Sequence, residues 1–97
     1  MTTSLPEPWC IRGEFNIYTA QETKALLQQA LQSRQPIALD LSAVTEMDSA
    51  GVQLLLLGQR EAQRIGQPFQ IIRASEAVHE LLQFMRLTEA LFSEAAA

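Results

Sequence analysis

The chain has 97 residues, 47% of them hydrophobic, which is one domain's length and enough apolar material for a single core. Its net charge is −4, and of its seven basic residues only Arg60 and Arg64 are close together, so no basic surface for nucleic acid or an anionic membrane is expected. The longest apolar run, Leu54 to Leu57, is far too short for membrane insertion; the start lacks the basic and apolar signature of a signal peptide; and the lone Cys10 can form no internal disulfide, so a cytoplasmic setting is expected.

Residues 1–8 carry two prolines and no periodicity, and a loose terminus is expected there and again at 93–97. Residues 9–13 read as a short strand, and Ile17 and Tyr18 as a brief extension of it. Thr19 with Glu22 three residues on matches a capping box, followed by Ala25, Leu26, Ala30 and Leu31 at helical spacing. This first helix is expected to end near Ser33, because Pro36 disfavours helix at Gln35. Residues 37–41 are a short apolar run between turn signals, which suits a buried strand followed by a loop. Asp48 or Ser49 opens a second helix, which closes near Gly66 in a left-handed turn. A strand over 69–72 follows, then a third helix from Ser75 bearing Val78, Leu81, Leu82 and Met85. Strands alternating with helices predict an α/β domain, a mixed sheet of four strands or fewer with helices packed on it.

Four consecutive leucines cannot share one side of a helix at about 100° per residue. Turning Gly51, Leu54, Leu55, Gly58, Ala62 and Ile65 toward the sheet leaves Leu56 and Leu57 outside with Gln53, Arg60 and Arg64. That group reads either as a partner-binding patch or as ordinary surface leucines. At the start of the same helix stands a serine, where unpaired N–H groups and the helix dipole favour an anion. Asp-Ser at such a position is also simply a favoured cap.

At the serine, the wider pattern changes the balance between cap and anion site. Asp40-Leu41-Ser42, Val44 and Asp48-Ser49-Ala50-Gly51-Val52 resemble the signature of the STAS family, named for sulphate transporters and anti-sigma factor antagonists. The Gly66 turn, the strand after it, and Phe84 with Leu87-Thr88 extend the likeness over roughly residues 9–92. The family usually opens with a pair of strands and closes with a further strand and helix. Only residues 9–13 read clearly as an opening strand, and the sequence stops at an alanine tail.

In antagonist members the serine of the Asp-Ser motif is phosphorylated by an anti-sigma factor that is itself a serine kinase, and a phosphatase resets it. The resemblance therefore implies Ser49 as phosphoacceptor, with Asp40, Asp48, Ala50 and Gly51 as its neighbours and an anti-sigma kinase and a phosphatase as partners. A phosphate there, carrying about −1.5 to −2 charges, is expected to repel an acidic partner surface and to spoil an interface fitted to a hydroxyl. Other branches are non-switching subunits of lipid-transport ABC complexes or accompany chemotaxis and response-regulator systems. Threonine followed by glycine is common at this position in the transport branch, so Ser49-Ala50 leans toward the switched class.

An enzyme is not expected. The only histidine, His79, falls among core-type residues of the third helix, and no Gly-x-Ser-x-Gly elbow surrounds Ser49. One His and one Cys make no tetrahedral metal set, and no glycine-rich loop offers a nucleotide cradle, so no cofactor is expected. Oligomeric state leaves no mark in the sequence.

Overall fold

Alternation of large apolar and smaller or polar residues builds the centre of the molecule: Ile37, Leu39 and Leu41 are buried, while Ala38 and Asp40 between them are half-buried. In a computed structural model, residues 7–92 are described, and these alternating residues open strand β2, Ile37–Met47. It lies between β1, Trp9–Phe15, and β3, Phe69–Ala74, in the order β1-β2-β3. Helices α1, Ala20–Gln32, and α2, Ser49–Arg64, link the strands and pack on each other, and α3, Glu76–Phe84, and the short α4, Thr88–Leu91, follow β3. Of the termini expected to be loose, only Glu7 and Pro8 fall within the described residues, and both are exposed and irregular.

The α/β architecture is as expected, but the described strands are all parallel where a mixed sheet was expected. The connections give the reason: each strand is joined to the next by a helix that carries the chain back, so the next strand starts from the same end. An isolated parallel bridge from Ile71 to Phe92 touches the outer side of β3.

The expected loop after Leu41 is strand as far as Met47. Val44 is buried, and the added length pairs Ala43 with Arg12, Glu46 with Glu14 and Met47 with Phe15. Two register shifts accommodate it, and Gly13 takes a positive φ of 73° between them, as a bulge residue can. The Thr19 capping box does not form. Thr19 stands at the N-cap position, but its hydroxyl donates to the Glu14 carbonyl at 2.8 Å and accepts from the Asn16 amide at 3.0 Å. In α1 the buried residues are Thr23, Leu27 and Ala30, whereas Ala25 is exposed.

Helix α2 lies against the sheet at two glycines, as expected. A Cβ on Gly51 would fall 2.8 Å from the Phe15 carbonyl oxygen, and one on Gly58 3.0 Å from the Phe69 ring. Val52 and Leu55 are buried beside them, while Leu54 and Ile65 are half-buried. Helices α2 and α3 end alike, each with two backbone bonds folding the chain back over the last turn. Gly66 and Gln67 donate to Gln63 and Ala62, and Arg86 and Leu87 donate to Gln83 and Leu82. The left-handed position is glycine in one, with φ 77°, and Arg86 in the other, with φ 59°.

Candidate functional site

Chain direction in a parallel sheet gathers the segments that follow its strands at one edge, where such sheets commonly bind ligands. Here that edge carries the loop after β1 and the first turn of α2. Their meeting point is Asp48. Its extended backbone makes it the N-cap of α2, and its Oδ1 accepts from the amides of Ala50 at 2.9 Å and Gly51 at 3.2 Å. Its Oδ2 accepts from the Ile17 amide at 3.4 Å, and its own amide donates to the Phe15 carbonyl at 3.3 Å. One carboxylate thus fastens the loop to the helix.

Ser49 is exposed as the first residue of α2. The amides of Ala50 and Gly51, expected to be open to a phosphate, are instead engaged by Asp48. An anion on Ser49 must compete with a carboxylate already in place. Ala50 is half-buried, and Gly51 is buried against Phe15.

Asp40 does not join this site. It pairs with Cys10 and Arg73 in mid-sheet, whereas Met47 pairs with Phe15; Met47 stands seven positions beyond Asp40 along the strand, roughly 20 Å at the usual rise. The continuation of β2 past Leu41 is what carries the two apart. The Asp40 carboxylate instead accepts from the Ser42 hydroxyl at 2.6 Å and the Ser42 amide at 2.9 Å, with Arg73 at 3.6 Å. These contacts, the hydroxyl first, hold its carboxyl below the usual range against an opposing effect of burial, and Arg73 and Arg12 add to the lowering.

Of the patch residues, Gln53, Leu57, Arg60 and Arg64 are exposed together on the outer side of α2, which Ser49 shares because Gln53 and Leu57 follow it at steps of four. Leu57 is 48% exposed, and Arg64 pairs with Glu61 at 3.0 Å. Leu56 departs from this group: it is half-buried against the core, because the buried side of α2 is centred nearer Val52 and Leu55 than the leucine run suggests.

The loop after β1 supplies residues that sequence reasoning missed as a surface. Asn16, only 6% exposed, accepts at Oδ1 from the amides of Tyr18 at 2.9 Å and Thr19 at 3.2 Å. Its Nδ2 donates to Glu14 and Glu46, each at 3.4 Å. Ile17 and Tyr18 are thereby held outward, 66% and 90% exposed, beside Asp48. The signal was present in Asn16-x-x-Thr19, a turn-forming pair that interrupts strand alternation. The carboxylates of Glu14, Glu46 and Asp48 lie around this loop.

His79 stands elsewhere. Its ring stacks on Phe92 with centroids 4.8 Å apart, and Phe92 bridges to Ile71 at the level of Leu39 and Trp9, the opposite end of β1 from Asp48. Among the described residues no group of His, Cys, Asp and Glu could hold a metal ion, and no helix is long and apolar enough to cross a membrane.

A family model described as "Mlab, STAS domain" matches residues 10–93. The chain belongs to the STAS domain family. The fold has a solved counterpart in the anti-sigma factor antagonist SpoIIAA in its unphosphorylated form, which is 22% identical to this STAS domain. The match covers 77% of this chain and 70% of the other with a TM-score of 0.60, and it establishes a shared fold. The residues matched by the family model include the Ser49 face of this STAS domain and its Asn16 loop.

Proposed function

We propose that this STAS domain is a phosphorylation-switched binding module of the anti-sigma factor antagonist kind, working in the cytoplasm. Unphosphorylated, its Ser49 face docks on a partner serine kinase that is itself an anti-sigma factor. The kinase moves the γ-phosphoryl group of ATP to Ser49 Oγ: the new P–O bond forms, the bond to ADP breaks, and the hydroxyl proton passes to a base on the kinase. A phosphatase restores the hydroxyl. The observation that carries this reading is the exposure of Ser49 at the first position of α2, beside an exposed loop and an exposed helix face.

Release on phosphorylation follows from fit rather than from charge repulsion. A tetrahedral phosphate enlarges a surface shaped around a hydroxyl. It also competes with Asp48 for the amides of Ala50 and Gly51, and displacing that carboxylate frees the Ile17 amide as well.

The prior engagement of those amides favours a second reading, a constitutive subunit of a larger assembly in which Ser49 is an exposed helix residue and nothing more. Phosphosite mapping of the protein from its own cells, with partner affinity compared between Ser49→Ala and Ser49→Asp, separates the two. Phosphate on Ser49 and weaker binding of Ser49→Asp support the switch, whereas no phosphate and equal affinities support the constitutive subunit.

A further inference from the structure

The loop after β1 has its amides engaged by Asn16, Thr19 and Asp48, and leaves the side chains of Ile17 and Tyr18 turned to solvent. The amides of Asn16, Ile17, Tyr18 and Thr19 donate to Thr19 Oγ1, Asp48 and Asn16 Oδ1, yet Ile17 and Tyr18 stand 66% and 90% exposed. An isoleucine and a tyrosine held side by side in water form an apolar projection with a rigid footing, the kind of feature that anchors protein contacts. Around it lie the carboxylates of Glu14, Glu46 and Asp48.

We infer that Ile17 and Tyr18 are the apolar anchor of a docking surface continuous with Ser49, and that its occupant is a different protein presenting an apolar pocket bordered by lysine or arginine. This rests on the reading that the Ser49 face engages a partner. The acidic border turns away nucleic acid and anionic lipid. It also disfavours a second copy, because a two-fold contact through this surface sets the three carboxylates against their own equivalents. A small molecule is poorly served by side chains that protrude instead of lining a cavity. Tyrosine suits the role because it offers large area with few rotatable bonds to freeze.

A photo-crosslinking benzoyl-phenylalanine at position 18, with a control at the equally exposed Phe84, tests the surface in the cells that make the protein. Position 18 is expected to trap one discrete protein that the control does not. Purified with this domain, that protein should bind Tyr18→Ser at least roughly thirtyfold more weakly than wild type, as for an anchor aromatic. Tyr18→Phe should bind nearly as wild type, and both variants should melt as wild type does. Affinity should fall between about 50 and about 500 mM KCl, and Glu46→Lys should weaken it and flatten that dependence.

No adduct at position 18, an adduct of twice the domain's own mass, or unchanged affinity of Tyr18→Ser overturns the inference. Loss of binding in Tyr18→Ser with full binding of Ser49→Asp keeps the anchor and removes the switch. Loss in Ser49→Asp with full binding of Tyr18→Ser does the reverse.

Discussion

Asp48 reaches Ile17 across the sheet edge: its Oδ2 accepts the Ile17 amide at 3.4 Å while its Oδ1 caps α2 through Ala50 and Gly51. The residue that starts the helix therefore also positions the neighbouring loop. Asp48→Ala should lower unfolding free energy by about 1 kcal/mol, the usual cost of a lost cap. Asp48→Asn, which keeps an accepting oxygen, should lose less. Urea denaturation measures both, and faster amide hydrogen exchange at Ile17 in Asp48→Ala would report the loosened loop.

The proposed switch is read in the comparison of Ser49→Ala with Ser49→Asp. Both should fold with melting temperatures close to wild type, because position 49 is exposed and an acidic residue suits a helix start. Ser49→Ala should bind the partner as tightly as wild type. Ser49→Asp should bind more weakly, though less so than the phosphoprotein, since it brings one charge and a planar head. Titration calorimetry gives the ratio.

Gly51→Ala is expected to be the more damaging of the two glycine changes in α2. Its Cβ meets a backbone oxygen at 2.8 Å, which cannot step aside, whereas Gly58→Ala meets the Phe69 ring at 3.0 Å. A loss of about 1–3 kcal/mol is expected for Gly51→Ala from overpacking. Near-equal unfolding energies for the two variants would contradict the close approach of α2 at Phe15.

The two similar helix ends predict opposite responses. Arg86→Gly should stabilise the fold by up to about 1 kcal/mol, because a side chain at φ 59° is strained and glycine is not. Gly66→Ala should cost about 1 kcal/mol for the same reason. Thermal melts of the pair check both signs.

Asp40 supplies a pH dependence. Its carboxyl titrates lower in the folded than in the unfolded chain, so ionised Asp40 contributes stability that is fully present above the unfolded value. That contribution declines as pH drops below the ordinary carboxylate range and is gone below the folded value. Asp40→Asn should therefore flatten the acid limb of a stability–pH curve and leave its slope near neutrality unchanged. Wild-type steepness retained in the variant would rule out Asp40 as a source.

Periodicity and punctuation made the first three helices and the succession of elements along the chain legible. Gly51 and Gly58 marked where α2 meets the sheet, and Asp48-Ser49 marked its start. What escaped was governed by pairing between distant segments. Nothing in residues 42–47 reads as strand alone; they extend because β1 offers partners from Arg12 to Phe15. The same extension removes Asp40 from Ser49, although the two are close in the chain. The local spacing of Thr19 fits a capping box, yet Glu14 and Asn16 claim its hydroxyl. Leu56 is half-buried rather than exposed because the buried side of α2 is centred on Val52 and Leu55, which the run of four leucines does not reveal. The exposed pair Ile17 and Tyr18 looked like strand continuation because hydrophobic residues next to a strand ordinarily are.

The fastenings of the Asn16 loop lie outside its exposed pair: the side chains of Asn16, Thr19 and Asp48 hold the backbone, and those of Ile17 and Tyr18 hold nothing. Such an arrangement separates the frame from what it displays. Residues 17 and 18 can be exchanged for others of different shape or charge without reopening the core or the first turn of α2. Duplicated copies of this domain could thus acquire different acquaintances by changing two side chains, each copy keeping the same serine in the same place.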